Sequence, residues 1–225
     1  MSQHPIMDAG PGINFFSLNK ERLLFSVLGA LSVPEIVADE ILRKARQDER
    51  FAAAERVWKK LPSRLMEVLS DDATDELAAA VHRIAGMPIE QRVRSNKDLG
   101  ETMVIAHAVV AAERGENVIV FIDDGGGRSM AAVEQRRLQR LHVANGVPGR
   151  IDLISTLTVL KRAAGREHLP DKASMRVLYD RLRKLDDGLA PLATTGLMDL
   201  PCWSQQGDQK GTTTMETTHP MTCSA

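Results

Sequence analysis

The chain has 225 residues, which at about 150 residues per domain gives one large domain or two very small ones, and its 43 % hydrophobic and 26 % charged fractions are ordinary for a globular protein. A formal net charge of −1 excludes a globally basic nucleic-acid coat but leaves room for a local basic groove. Aromatic residues, at 4 %, are too few for a base-stacking platform, and two cysteines near the C-terminus provide neither a disulfide framework nor a zinc cluster.

Membrane and secretion signals are not expected in this chain. The longest uncharged apolar-rich run, 102–112, is much shorter than the ~20 residues that a membrane-spanning helix needs. The N-terminal MSQHPIMDAG has no basic start followed by an apolar stretch, which a secretion signal would show. We therefore expect a cytoplasmic protein without a membrane segment.

The N-terminal half reads as one short strand followed by helices. Ile6-Met7 is predicted to be a strand that ends at an acid and glycines. A helix is predicted over 19–31 with Asn19 as its cap, and a second one over 35–46 after a break at Ser32-Val33-Pro34. The helical pattern continues over 51–86, with a boundary at Pro62.

The C-terminal half alternates between helices and strands. Five apolar, mostly β-branched residues at 118–122 indicate a strand that is buried on both faces. A second strand is predicted at 151–154, and helices at 99–114, 129–142, 156–164 and 171–185. This alternation predicts an α/β fold with a central parallel sheet covered on both faces. We expect the domain to span 1–200 and the Thr-, Ser- and Gln-rich residues 201–225 to form a disordered tail.

Acidic residues stand where two of the predicted strands end. Asp8 follows the first strand, and Asp123 and Asp124 follow the strand at 118–122, so parallel pairing would bring them to one edge of the sheet. Glu40 and Glu101 would join them from helices. Carboxylates that converge in this way repel one another unless a cation lies between them, and oxygen ligands alone suit Mg²⁺ or Mn²⁺. Such a centre is typical of phosphodiester hydrolysis.

Structural roles explain each of these acids equally simply when it is taken alone. An acid after a strand is often a turn residue or a helix cap, and Asp123-Asp124 followed by three glycines fits a turn. Glu40 is one of many charges on its helix, and Glu101 suits the dipole of a helix that starts beside it.

The joint pattern of four segments resembles the PIN-domain family, the fold of VapC-type toxin ribonucleases. The segments are I-M-D-A-G, V-P-E-I-V-A-D-E-I, D-L-G-E-T-M-V-I-A-H-A and V-I-V-F-I-D-D-G-G-G-R. The closest branch has a G-E motif, then an apolar strand, D-D and G-R. The resemblance covers roughly residues 4–195 and implies a three-layer α/β/α fold.

The resemblance also implies a function and a set of site residues. Similar proteins hold Mg²⁺ or Mn²⁺ to cleave RNA, commonly as the toxin of a toxin–antitoxin pair. Carried over by position, the catalytic acids would be Asp8, Glu40, Glu101 and Asp123, with Asp124 as a further metal ligand. An antitoxin would occupy the acidic cleft, and the apolar helices within 19–46 would offer a surface for a homodimer.

Arginines around the D-D motif have two interpretations. Arg128 would hold a substrate phosphate by its planar fork, or form an internal salt bridge with one of the acids. Arg136, Arg137 and Arg140 lie along the following helix, where they form either a solvated face or a backbone contact for RNA. His107, within an apolar helix, is predicted to be a packed core histidine.

Two departures from the family pattern support an alternative function. Met103 stands where many relatives have a second acid, and 8–12 lacks the usual Thr/Ser-Asn after the first acid. The alternative is a catalytically inactive PIN-like scaffold that acts through protein or RNA binding. A phosphoryl-transfer domain of the haloacid dehalogenase type is disfavoured, because Gly10 occupies the second acidic place of D-x-D. A response-regulator receiver is disfavoured because the paired acids end a late strand.

Overall fold

A computed structural model of the chain describes residues 4–146 and 149–204. Its centre is a sheet of five parallel strands in the order β3-β2-β1-β4-β5. The strands are β1 (Ile6–Met7), β2 (Leu31–Pro34), β3 (Met66–Leu69), β4 (Asn117–Phe121) and β5 (Arg150–Ile154).

Helices cover the sheet and make up most of the described chain. They are α1 (Ala9–Ser17), α2 (Glu21–Leu28), α3 (Glu35–Gln47), α4 (Ala52–Trp58), α5 (Asp75–Ala85), α6 (Ile89–Arg92), α7 (Leu99–Glu113), α8 (Gly125–Asn145), α9 (Thr156–Ala163) and α10 (Lys172–Leu185). Short 3-10 turns occur at Glu49–Phe51, Leu192–Thr194, Leu197–Asp199 and Pro201–Trp203. The predicted α/β class, a three-layer α/β/α fold with a parallel sheet, is confirmed.

The connections place the helices on opposite faces of the sheet. From β1 the chain moves outward to β2 and β3, then returns to β4 on the other side of β1 and continues to β5. Because crossovers between parallel strands are right-handed, this reversal of direction puts the two sets of helices on opposite faces. Accordingly α7 packs with α5 and α8, whereas α1 packs with α4 and α10.

The reversal also creates a crevice beside β1. Ile6 pairs with Ser32 of β2 on one side and with Val120 of β4 on the other. The helix that follows β1 and the helix that follows β4 depart to opposite faces of the sheet. A gap therefore opens at the carboxyl ends of these two strands, where open parallel sheets bind their ligands. The residues that follow Met7 and Phe121 therefore lie at this crevice.

Several predictions for the N-terminal half were wrong. No helix was predicted between the first strand and residue 19, but α1 starts directly after Asp8, and its Pro11 is tolerated in the first turn of a helix. Asn19 does not cap the next helix: it has φ 54°, and α2 starts at Glu21. The predicted break at 32–34 belongs to strand β2, and strand β3 interrupts the helical pattern that was predicted over 51–86.

Predictions for the C-terminal half were closer. Helices α7, α9 and α10 and strands β4 and β5 agree with the predicted elements to within one or two residues, whereas α8 starts at Gly125, four residues earlier than predicted. The predicted tail of 201–225 lies mostly outside the described residues. Within residues 201–204, the indole N–H of Trp203 donates to the Leu197 carbonyl at 2.7 Å. No helix in the described ranges is long and apolar enough to cross a bilayer.

Candidate active site

A cleft of about 800 Å³ opens at the carboxyl ends of β1 and β4. Among the described residues that line it, seven are acidic and two, Lys44 and Arg128, are basic. The acids are Asp8, Glu40, Asp98, Glu101, Asp123, Asp124 and Asp186. The structure thus brings all five acids predicted from the sequence to one cleft with a large excess of negative charge.

Asp8 lies at the bottom of this cleft as the cap of α1. Its backbone N–H donates to the carbonyl of Phe121 at the end of β4, and its Oδ2 accepts from the N–H of Gly10 at 3.4 Å. Only 6 % of the residue is exposed. Burial raises the pKa of Asp8 to about 6; the negative charge of Glu40 adds to the rise, and backbone N–H groups oppose it. The fold thus keeps a carboxyl where its charged form is costly.

Glu40 reaches the cleft from α3, close to the first turn of α7. A Cβ placed on Gly100 would lie 2.9 Å from Oε2 of Glu40 and 3.8 Å from Oδ1 of Asp8. The glycine therefore allows these two carboxylates to approach the same point of the α7 backbone. The other oxygen of Glu40, Oε1, forms an ion pair at 2.7 Å with Nζ of Lys44, which lies one helical turn further along α3.

Glu101 lies beside Gly100 in the first turn of α7 and faces the start of α8. A Cβ on Gly126 would lie 3.5 Å from its Oε2. Burial raises the pKa of Glu101 to about 7, and the charges of Asp124, Asp8, Asp98 and Glu40 raise it further. A half-buried glutamate among four other carboxylates holds its proton near neutral pH unless a cation joins the cluster.

The two adjacent acids after β4 have different surroundings. Asp124 caps α8, because its Oδ1 accepts from the N–H groups of Gly126 and Gly127. Asp123 instead accepts from Thr156, which donates its backbone N–H at 2.8 Å and its hydroxyl at 2.6 Å. Burial raises the pKa of Asp123, and the bonds from Thr156 lower it. Asp124 adds to the charge around Glu101, and Asp123 lies on the side of the cleft near Asp186.

Arg128 lines the cleft but forms no salt bridge within the described ranges. Its Nη1 donates to the carbonyl of Ile122 at 3.3 Å, and its charge lowers the pKa of Asp123. The internal salt bridge considered for Arg128 is therefore not formed. The remaining donors of its guanidinium are available for an anion in the cleft.

Sequence reasoning did not identify Asp98 and Asp186 as lining residues. Asp98 has φ 53° and does not cap α7, so its backbone takes a left-handed conformation that favours glycine. The buried guanidinium of Arg92 holds the preceding loop by donating to the carbonyls of Ser95 and Lys97 and to the Thr102 hydroxyl. Asp186 accepts from Asn14 at 3.0 Å. Asp98 opens the D-L-G-E segment but was not identified there as a site residue, and Asp186 lies outside all four segments.

The cluster of Arg136, Arg137 and Arg140 does not line the cleft. Arg136 and Arg140 are exposed, as a solvated face predicts. Arg137 differs from them, because it pairs with Glu113 and with the buried Glu134 at 2.7 Å, and Glu134 also pairs with Arg83. The network joins α5, α7 and α8 on the outside of the sheet.

The donor set of the cleft fits a hard divalent cation. Carboxylates provide the charge, and neither His nor Cys occurs among its described lining residues. Within residues 4–146 and 149–204, no three acidic, His or Cys side chains are grouped so that they could hold a metal ion. Two carboxyl groups whose pKa values rise to about 6 and about 7 are nevertheless the groups that a cation would stabilise in ionised form.

Comparisons with known proteins add no family assignment to this geometry. No protein-family model, curated protein or solved structure matches the chain.

Proposed function

We propose that this protein is a ribonuclease that uses Mg²⁺ or Mn²⁺ to hydrolyse RNA phosphodiester bonds, with a PIN-like active site. The observation that carries the proposal is the grouping of Asp8, Glu40, Glu101 and Asp124 around one end of a cleft whose charge is unbalanced. Buried carboxyl groups that repel one another destabilise a fold, so a site that gathers them favours a ligand that neutralises them.

Different residues of the cleft would bind the cation and the substrate. Asp8, Glu40, Glu101 and Asp124 would hold the cation, which supplies charge stabilisation for the phosphate and a bound water of lowered pKa. Asp123 is held by Thr156 on the other wall, where its carboxylate would orient that water or bind the cation from the opposite side. Arg128 would contact a phosphate oxygen with its free guanidinium donors.

Lys44 offers a precedent for a basic group that balances one carboxylate of the cleft. Its ammonium already pairs with Glu40 at 2.7 Å. An antitoxin-like partner that inserts a basic side chain would use the same chemistry at the neighbouring carboxylates. The proposal includes such a partner and a cytoplasmic location. It also includes a homodimer formed along 19–46, which size-exclusion chromatography of the full chain tests.

The same ion pair supports the second candidate, an inactive binding scaffold. Lys44 occupies one oxygen of Glu40, and Thr156 occupies both oxygens of Asp123. If these bonds persist when Mn²⁺ is added, the Asp123 carboxylate and one oxygen of Glu40 stay engaged, and the remaining charge of the cleft would serve to bind a basic partner.

Cleavage of a mixed RNA substrate with Mn²⁺ or Mg²⁺ distinguishes the two candidates. We expect the wild type to show an activity that chelator abolishes, and Asp8→Asn and Asp123→Asn to lose it. The matched control is Asp171→Asn, because Asp171 also caps a helix but lies on the exposed start of α10. A wild type that neither cleaves RNA nor binds Mn²⁺ would contradict the ribonuclease and favour the scaffold.

A further inference from the structure

Outside the acidic cleft, Asp71 and His107 form a bridge between two parts of the fold. Nε2 of His107 lies 2.8 Å from Oδ1 of Asp71, and both side chains are mostly buried, with 13 % and 15 % exposed. Because an ionised carboxylate only accepts hydrogen bonds, Nε2 is the donor. His107 belongs to α7, and Asp71 lies in the loop between β3 and α5. The histidine predicted to be simply packed in the core is therefore paired.

The other oxygen of Asp71 completes the start of α3. Its Oδ2 accepts from the backbone N–H of Ile36 at 2.8 Å, and the carboxylate of Glu35 accepts from the N–H of Asp71 at 3.0 Å. Pro34 precedes α3 and has no side-chain acceptor to cap it. Asp71 thus supplies from a distant loop the cap that the local sequence omits.

These bonds act on the same pair of helices that carries the acids of the cleft. Glu40 belongs to α3 and Glu101 to α7, and the two helices approach each other at Gly100. A Cβ on Gly100 would lie 3.5 Å from Cγ2 of Val37 and 2.9 Å from Oε2 of Glu40. His107 lies two turns further along α7. The bridge and the glycine contact therefore fix α3 against α7 at two separate places.

We propose that Asp71, oriented by His107, is a positioning residue that sets the separation of Glu40 and Glu101 and thereby the affinity of the cleft for a divalent cation. The inference rests on the proposed function of the cleft as a metal centre. Neither residue lines the cleft, so both act through the helices alone. Residues that orient metal ligands typically change metal affinity about 10- to 100-fold when they are removed.

The experiment measures Mn²⁺ binding by calorimetry on the full chain, together with amide hydrogen exchange of 36–44 and 99–103 without metal. Asp71→Ala and His107→Leu are expected to weaken Mn²⁺ binding by about tenfold and to speed exchange in 36–44. His107→Gln is expected to retain near-native binding, because its amide N–H reaches the position of Nε2.

The matched control is Thr74→Ala. Thr74 lies in the same loop and also caps a helix, since its hydroxyl oxygen accepts from the N–H of Leu77 at 3.2 Å. Its hydrogen bonds within the described part of the chain reach neither α3 nor the bridge. We expect this variant to lower the melting temperature as Asp71→Ala does, and to leave the Mn²⁺ dissociation constant within twofold of the wild-type value.

Three outcomes would overturn the proposal in distinguishable ways. If the wild type binds Mn²⁺ and Asp71→Ala binds it as Thr74→Ala does, positioning by Asp71 is wrong and the metal centre stands. If His107→Gln is as impaired as His107→Leu, the hydrogen bond is not the cause. If the wild type binds no Mn²⁺, the proposed function fails, and this inference fails with it. Should Asp71→Ala not fold, His107→Leu decides, because it retains the Asp71 carboxylate and removes only the bond that orients it.

Discussion

Gly100 lies so close to Glu40 that a side-chain carbon on the glycine would stand 2.9 Å from Oε2 of the glutamate. Gly100→Ala should therefore displace Glu40 and weaken Mn²⁺ binding. The variant should also lose about 1 kcal/mol of unfolding free energy, because overpacking outweighs the gain that alanine brings to a helix. Denaturant unfolding and Mn²⁺ titration measure the two effects.

A second background shows whether contact with Glu40 causes the loss of stability in Gly100→Ala. In the Glu40→Ala background the obstructing oxygen is gone, so Gly100→Ala should stabilise the protein by up to about 1 kcal/mol. An equal loss of stability in both backgrounds would mean that Glu40 is not what Gly100 accommodates.

Asp8→Asn should separate activity from stability. Asparagine retains the oxygen that accepts from Gly10 and removes the buried charge, so the metal-free protein should gain about 1 kcal/mol or more of unfolding free energy at pH 8. Cleavage should be lost. Thermal unfolding at pH 8 is the measurement, and Asp171→Asn, an exposed cap on Ser174, should show no gain.

Stability without metal should fall as the pH rises from about 4 to about 7. Asp8 and Glu101 bind protons more tightly in the folded chain, where their pKa values are about 6 and about 7, than in the unfolded chain, where they are near 4. The folded state therefore holds extra protons in this window, and the free energy of unfolding decreases as they leave. Denaturant unfolding at several pH values checks this prediction.

Comparison of the wild type with a double variant isolates the contribution of Asp8 and Glu101 to this pH dependence. The double variant Asp8→Asn, Glu101→Gln should show a shallower decline over the same pH range, because neither replacement titrates. Saturating Mn²⁺ should reverse the decline in the wild type, since ionised carboxylates then gain a partner. Parallel pH profiles of wild type and double variant would contradict the assignment.

Arg137→Ala should destabilise the protein, whereas substitution of its exposed neighbour Arg136 should have little effect. Arg137 pairs with Glu113 and with Glu134, which is 3 % exposed. Its loss leaves Glu134 with Arg83 alone and should cost about 2 kcal/mol. Arg136→Ala, at an exposed position one residue earlier, should change stability by no more than about 0.5 kcal/mol. Urea unfolding of the two variants compares them directly.

The parts of the fold that the sequence predicts well are those whose local pattern and burial agree. From Val118 to Phe121 the strand β4 is an unbroken apolar run, because it lies between β1 and β5. Helix α7 is apolar around most of its circumference, because the sheet and the helices α3, α5 and α8 cover it. The edge strand β3 has two exposed residues and only one fully buried one, so it lacks such a run and was missed.

In the candidate site, too, the sequence predicts some features and not others. Parallel strands that end in acids predict a shared edge, and the structure places Asp8, Asp123 and Asp124 there. The bond from Thr156 to Asp123 joins residues 33 positions apart, and the cap from Asp71 to Ile36 joins residues 35 positions apart. No periodicity or spacing encodes such pairings, because they depend on how the loops meet after the sheet has formed.

Asp8 serves the architecture through its oxygen atoms and the proposed chemistry through its charge. Asparagine preserves the first role and removes the second. Under the proposed function, the single change Asp8→Asn would convert the hydrolase into a binding protein that retains the fold.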